Sequence, residues 1–119
     1  MSEKRDIRDY LVDMNEAMQN IRMFTDDMTY EQFCSDTKTI YAVTRGFEIL
    51  GEAAKHIDDD TRLRYPCIPW RMIAGMRDKL IHEYFGIALE IVWSAVQGDL
   101  PELQRDLAPV LEELVHNKA

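Results

Sequence analysis

Within Arg77-Asp78-Lys79-Leu80-Ile81-His82-Glu83-Tyr84 lie a guanidinium, an imidazole and a phenol close enough in sequence to serve one reaction. Histidine can take up and return a proton near neutral pH. Arginine offers a planar, permanent cation for a carboxylate or a growing negative charge. At 100° per residue, Trp70, Ile73, Met76, Leu80, Ile81 and Tyr84 fall within an arc of roughly 140° on one helix, and Arg77 sits inside that arc. A cation aimed at an apolar side must meet a carboxylate, line a cleft or reach a polar subunit interface, because burying it alone is costly. His82 lies off the arc, near the helix C-terminus, where the dipole favours an imidazolium. Structural roles stand beside the chemical ones: Arg77 paired with Glu48 or Glu52, His82 as a cap, Tyr84 as a core or rim aromatic. Spacing alone does not choose between them.

The elements that must position these residues read as helices. Ile7, Tyr10, Leu11, Met14, Met18, Ile21 and Phe24 recur at helical steps and predict a helix over residues 6–24. Thr29 with Gln32 three residues on forms a capping-box pattern, which starts a short helix ending near Ser35. A long helix over residues 36–57 carries Ile40, Val43, Phe47, Leu50, Ala54 and Ile57 as one seam. Ala42, Ile49 and Ala53, with Gly46 nearby, make a second stripe on another side. That stripe is either a subunit interface or is covered within the chain.

The run Arg64-Tyr65-Pro66-Cys67-Ile68-Pro69-Trp70 is expected to be extended, since each proline disfavours helix in the residue before it, and Pro69 then suits a helix start. A fourth helix runs from Trp70 to about His82 or Tyr84, broken by Phe85-Gly86. A fifth covers residues 88–97 and stops at Gly98. Asp99 caps a last helix with Pro101 in its first turn, carrying Leu103, Leu107, Val110, Leu111 and Leu114. With no alternation of strand type, the expected fold is all-α, an antiparallel bundle of four to five main helices that dimerises, in one domain over residues 1–119.

Composition narrows the function. At 119 residues the chain suits one domain, and 46% hydrophobic with 30% charged residues is ordinary for a globular protein. Cys34 and Cys67 form no ligand cluster with His56, His82 or His116, so no metal or other cofactor is expected. The charged start Ser2-Glu3-Lys4-Arg5-Asp6 lacks the apolar core of a signal peptide, and no run reaches the roughly 18 apolar residues of a membrane span. A cytoplasmic location without membrane partners is the expectation. A net charge of −8 argues against coating nucleic acid by bulk charge. Yet Arg62, Arg64, Arg71, Arg77 and Lys79 face only Asp78 over residues 62–79, which allows a local basic patch.

The order Arg, four residues, His, one residue, Tyr, with a polar residue after the Arg, resembles the HEPN superfamily signature. More narrowly, Gly51-Glu52-Ala53-Ala54, Tyr65-Pro66, Ile68-Pro69-Trp70-Arg71 and Tyr84-Phe85-Gly86 resemble the HepT-like toxins, over roughly residues 40–103. Ala88 departs from the Asp that relatives often carry before the fifth helix, which weakens a cap and leaves the site untouched. The resemblance implies a metal-independent endoribonuclease, active as a homodimer with both motif copies facing one cleft. In it His82 handles the proton of the RNA 2′-hydroxyl, Arg77 steadies the charge growing on the phosphorane, and Asp78 orients the imidazole or the guanidinium. It further implies a minimal nucleotidyltransferase antitoxin as partner, which transfers AMP to Tyr84. The alternative class is a non-catalytic helical module that presents a nucleotide or partner to that nucleotidyltransferase.

Overall fold

A computed structural model describes residues 5–82 and 89–116, with the backbone alone over residues 77–82. Among the described residues all regular structure is helical: α1 Ile7–Phe24, α2 Tyr30–Ser35, α3 Thr37–Lys55, α4 Asp59–Arg64, α5 Trp70–His82, α6 Leu89–Ser94 and α7 Leu100–Leu111. None of these helices is long and apolar enough to cross a membrane.

Local hydrogen bonding decides where the first helices start. The Arg8 N–H donates to Asp6 Oδ1 at 2.8 Å, while the Asp6 N–H donates to Asp9. Gln32 N–H donates to Thr29 Oγ1 at 3.1 Å, and Thr29 N–H returns a bond to Gln32 Oε1 at 2.9 Å, so the expected capping box is formed. Asp36 caps α3 by accepting from the Thr39 N–H at 3.0 Å and its hydroxyl at 2.8 Å. Between α1 and α2 the chain reverses through Asp27 in the left-handed region, with φ 59°, which Asp tolerates better than most residues.

α3 is the central element, packed against α1 and α5, with α7 also against α1. Its seam residues Val43, Phe47, Leu50, Ala54 and Ile57 are buried, and Ile40 packs half-buried at the edge. Gly46 and Ala53 of the second stripe are buried too, and Gly46 lies directly under Ile21 of α1. Helix α1 therefore covers that stripe at Gly46 within the chain, while Ala42 and Ile49 stay only partly buried. From α1 the core takes Leu11, Met14, Met18 and Ile21, whereas Phe24, at the helix end, is 40% exposed.

Two expectations are corrected. Residues 59–64 form α4, which periodicity missed because a single turn and a half carries too few apolar residues. Its signals are polar: Asp58 accepts from the Thr61 N–H at 2.8 Å, Asp59 and Asp60 occupy the first turn, and Arg62 and Arg64 the last. Arg64 is thus helical rather than extended, and Pro66 lies in a turn closed by Ile68 N–H to Tyr65 O at 3.3 Å, while Pro69 directly precedes α5. At the other end, Gly98 does not stop a helix and Asp99 does not cap one. The chain from α6 to α7 stays helical through a π turn, Ala95–Asp99, in which Asp99 has φ −69° and ψ −41° and makes no side-chain cap. A glycine ends a helix by turning left-handed, and no described glycine has positive φ; the extra residue is absorbed as a wider turn instead. Leu103, Leu107, Val110 and Leu111 are buried as expected, and Leu114 packs partly buried in a second π turn, Glu112–His116.

Candidate active site

The helix that carries the motif is held at its start. Trp70 opens α5 and is 4% exposed, with its indole Nε1–H donating to the Tyr65 carbonyl at 3.1 Å. Tyr65 in turn donates its hydroxyl to Glu113 Oε2 at 2.6 Å, and Arg64 pairs with the same carboxylate. The Tyr-Pro and Pro-Trp elements therefore tie the beginning of α5 to the C-terminal helical turn. Ile73, with no exposed surface, fixes the next turn in the core, and Met76 follows half-buried.

From there α5 continues without a break to His82. Positions 77 and 82 are five residues apart, roughly 7.5 Å along the axis and about 140° around it. Position 77 continues the stripe of Trp70 and Ile73, in line with the apolar arc expected for Arg77. Positions 78 and 82 are an i,i+4 pair and share one face, the spacing at which Asp and His side chains meet on a helix. His82 is the last residue of α5 among the described residues. The side chains of Arg77, Asp78 and His82 lie outside the described residues, as do Tyr84, the Phe85-Gly86 breaker and Ala88.

The surroundings show how the neighbouring charges are used. Arg62 donates from Nε to the Ile57 carbonyl and from Nη2 to the Ala54 carbonyl, each at 3.0 Å, so it closes the C-terminus of α3. With Arg64 engaged by Glu113, two cations of the expected basic patch serve structure, and Arg71 remains exposed. The clamp by Arg62 was absent from the sequence reading, although a basic last turn in a short helix hints at it. Of the carboxylates considered for Arg77, Glu48 lies 3.2 Å from Arg45 and Glu52 lies 3.6 Å from His56. In Gly51-Glu52-Ala53-Ala54 the small residues are buried, while the Glu52 side chain is half exposed. His56 also stacks on Tyr10, with ring centroids 4.4 Å apart, and so ties the end of α3 to α1.

Comparison with known proteins places this arrangement. The pattern of the family described as Ribonuclease HepT-like matches residues 14–110, from α1 through α7 and across the whole motif. A protein of Thermococcus cleftensis named "Probable ribonuclease HepT" is 48% identical over 85% of this chain and 92% of its own length. A candidate RNase of Methanocaldococcus jannaschii is 43% identical over 93% of this chain and 96% of its own, and a second from the same organism is 41% identical over 93% and 92%. No solved structure matches the chain at a significant level. With its central helix pair, its anchored motif helix and a family match over most of its length, the chain belongs to the ribonuclease HepT-like family.

Proposed function

We propose that the chain is a single helical domain, a bundle acting as a homodimer, that cleaves RNA endonucleolytically without a metal ion. The observation that carries this reading is the unbroken course of α5 from the anchored Trp70 to His82, which puts Arg77, Asp78 and His82 on one rigid element inside the family match. The 2′-hydroxyl attacks the adjacent phosphorus and loses its proton to His82, the P–O5′ bond breaks, and the leaving 5′-oxygen takes a proton back. The products are a 2′,3′-cyclic phosphate and a 5′-hydroxyl. Arg77 neutralises the phosphorane oxygens, where a fixed guanidinium outperforms a mobile point charge. Asp78, one turn before His82, orients the imidazole. Because α1 covers the second stripe of α3 at Gly46, the dimer rests on the family resemblance and on position 77, whose cation needs a polar cleft at the end of an apolar stripe.

Regulation follows the same chemistry. A nucleotidyltransferase antitoxin transfers AMP from ATP to the Tyr84 oxygen with release of pyrophosphate, and the added phosphate then competes for Arg77.

The test is incubation of purified protein with total RNA in EDTA, wild type against His82→Ala and Arg77→Ala, with folding checked by circular dichroism. His82→Ala is expected to slow cleavage by about 10²–10⁴-fold with RNA binding retained, whereas Arg77→Ala weakens both and Arg77→Lys restores only part. Wild-type cleavage by both folded alanine variants, or cleavage that requires a divalent ion, defeats the reading.

A further inference from the structure

Between α3, α5 and α7 lies an apolar groove of about 300 Å³, which the nuclease reading does not use. Its floor is Phe47, Leu50, Ile73 and Leu100, all nearly or fully buried, and its rim carries Met72, which is 55% exposed. Along the α7 side run Asp99, Glu102 and Asp106, which also line the groove. Spaced by three and four residues on one helical run, they form a stripe roughly 10 Å long. None of the three is paired with a cation among the described residues.

An apolar slot beside a row of unpaired carboxylates repels phosphate and invites the opposite charge. A methionine at such a rim adapts to varied apolar side chains. We infer that this groove docks a basic amphipathic helix of a partner protein, one apolar side chain entering beside Met72 while Lys or Arg side chains one turn apart meet Asp99, Glu102 and Asp106. The mode is a helix laid in a groove, with a buried anchor supplying affinity and flanking charges supplying orientation. The inference stands independently of RNA cleavage, since the residues that line this surface on α5 and α7 include none of Arg77, Asp78, His82 and Tyr84.

The probe is a fluorescein-labelled 14-residue helical peptide of Leu and Lys only, with Leu on one face, compared with its Leu and Glu counterpart by anisotropy in the absence of RNA. The Leu/Lys peptide is expected to bind one per chain. Asp99→Asn, Glu102→Gln and Asp106→Asn together, or Met72→Asp alone, weaken it at least tenfold, while the control Asp26→Asn, Asp27→Asn and Glu31→Gln, with the same change in charge, stays within twofold. Cys67 is exposed on the groove, so peptide should protect it from maleimide, read by peptide mapping. The inference is overturned if the control loses as much affinity as the groove variants, if Cys67 labels equally with and without peptide, or if Met72→Asp halves the solution mass of the free protein, which would assign the groove to a second copy.

Discussion

Substituting Gly46 by alanine probes the α1–α3 packing on which the rest of the molecule is built. A Cβ at that position meets Ile21 Cγ1 at 2.5 Å and Cδ1 at 2.9 Å, with the Ala17 carbonyl at 3.8 Å. Carbon atoms in ordinary contact stand about 3.5–4.0 Å apart, so both side-chain atoms must move. Ile21 has no exposed surface, and a β-branched residue in a helix has one strongly preferred rotamer, so it has little room to yield. Overpacking of this kind costs about 1–3 kcal/mol. Against it stands the better helix propensity of alanine, about 1 kcal/mol. With two atoms displaced the packing cost belongs in the upper half of its range, so Gly46→Ala should destabilise by about 1–2 kcal/mol. Urea unfolding followed at 222 nm reads this as a lower midpoint with unchanged slope. Ile21→Ala, costing about 2–5 kcal/mol alone, removes both obstructing atoms. In that background Gly46→Ala should become neutral or stabilising by up to about 1 kcal/mol. A Gly46→Ala protein more stable than wild type, or additive effects in the double variant, would refute the close approach as the reason for glycine here.

Other outcomes follow from the same packing. Arg62→Met removes both bonds to the end of α3 and should cost about 1–3 kcal/mol after allowance for its partial exposure, with Arg62→Lys recovering less than half because an ammonium cannot span the Ala54 and Ile57 carbonyls in the same geometry; urea midpoints decide it. Asp6 is held down to about 2 by hydrogen bonds from Arg8, and Asp36 and Asp58 are lowered by hydrogen bonds from Thr39 and Thr61. Since folded values below the unfolded ones give stability that is full above the ordinary carboxylate range and lost as pH falls toward the folded values, thermal stability should decline below about pH 4, and Asp36→Asn should flatten part of that decline. Co-expression with a minimal nucleotidyltransferase should raise the intact mass by whole AMP units, and persistence of the rise in Tyr84→Phe would remove Tyr84 from that role.

The sequence by itself determined what short-range forces decide. Asp6, Thr29 and Asp36 start their helices through bonds to residues two or three positions on, and the buried seam of α3 follows from the 3.6-residue period. The residue order of the motif, and the place of positions 77–82 on one helix, were legible for the same reason. Tertiary structure decided everything that depends on which distant surfaces meet. The second stripe of α3 has the same periodicity whether a second subunit or α1 covers it, and only the close approach of Ile21 to Gly46 shows that α1 packs on it there. Arg62 and Arg64 read as free cations because their partners, the Ala54 and Ile57 carbonyls and Glu113, lie between 5 and 49 residues away. Gly98 and Asp99 carry a local preference for ending a helix, yet they continue one. Burial of Val96, Leu100 and Leu103 on a single helical run outweighs a preference worth about 1 kcal/mol.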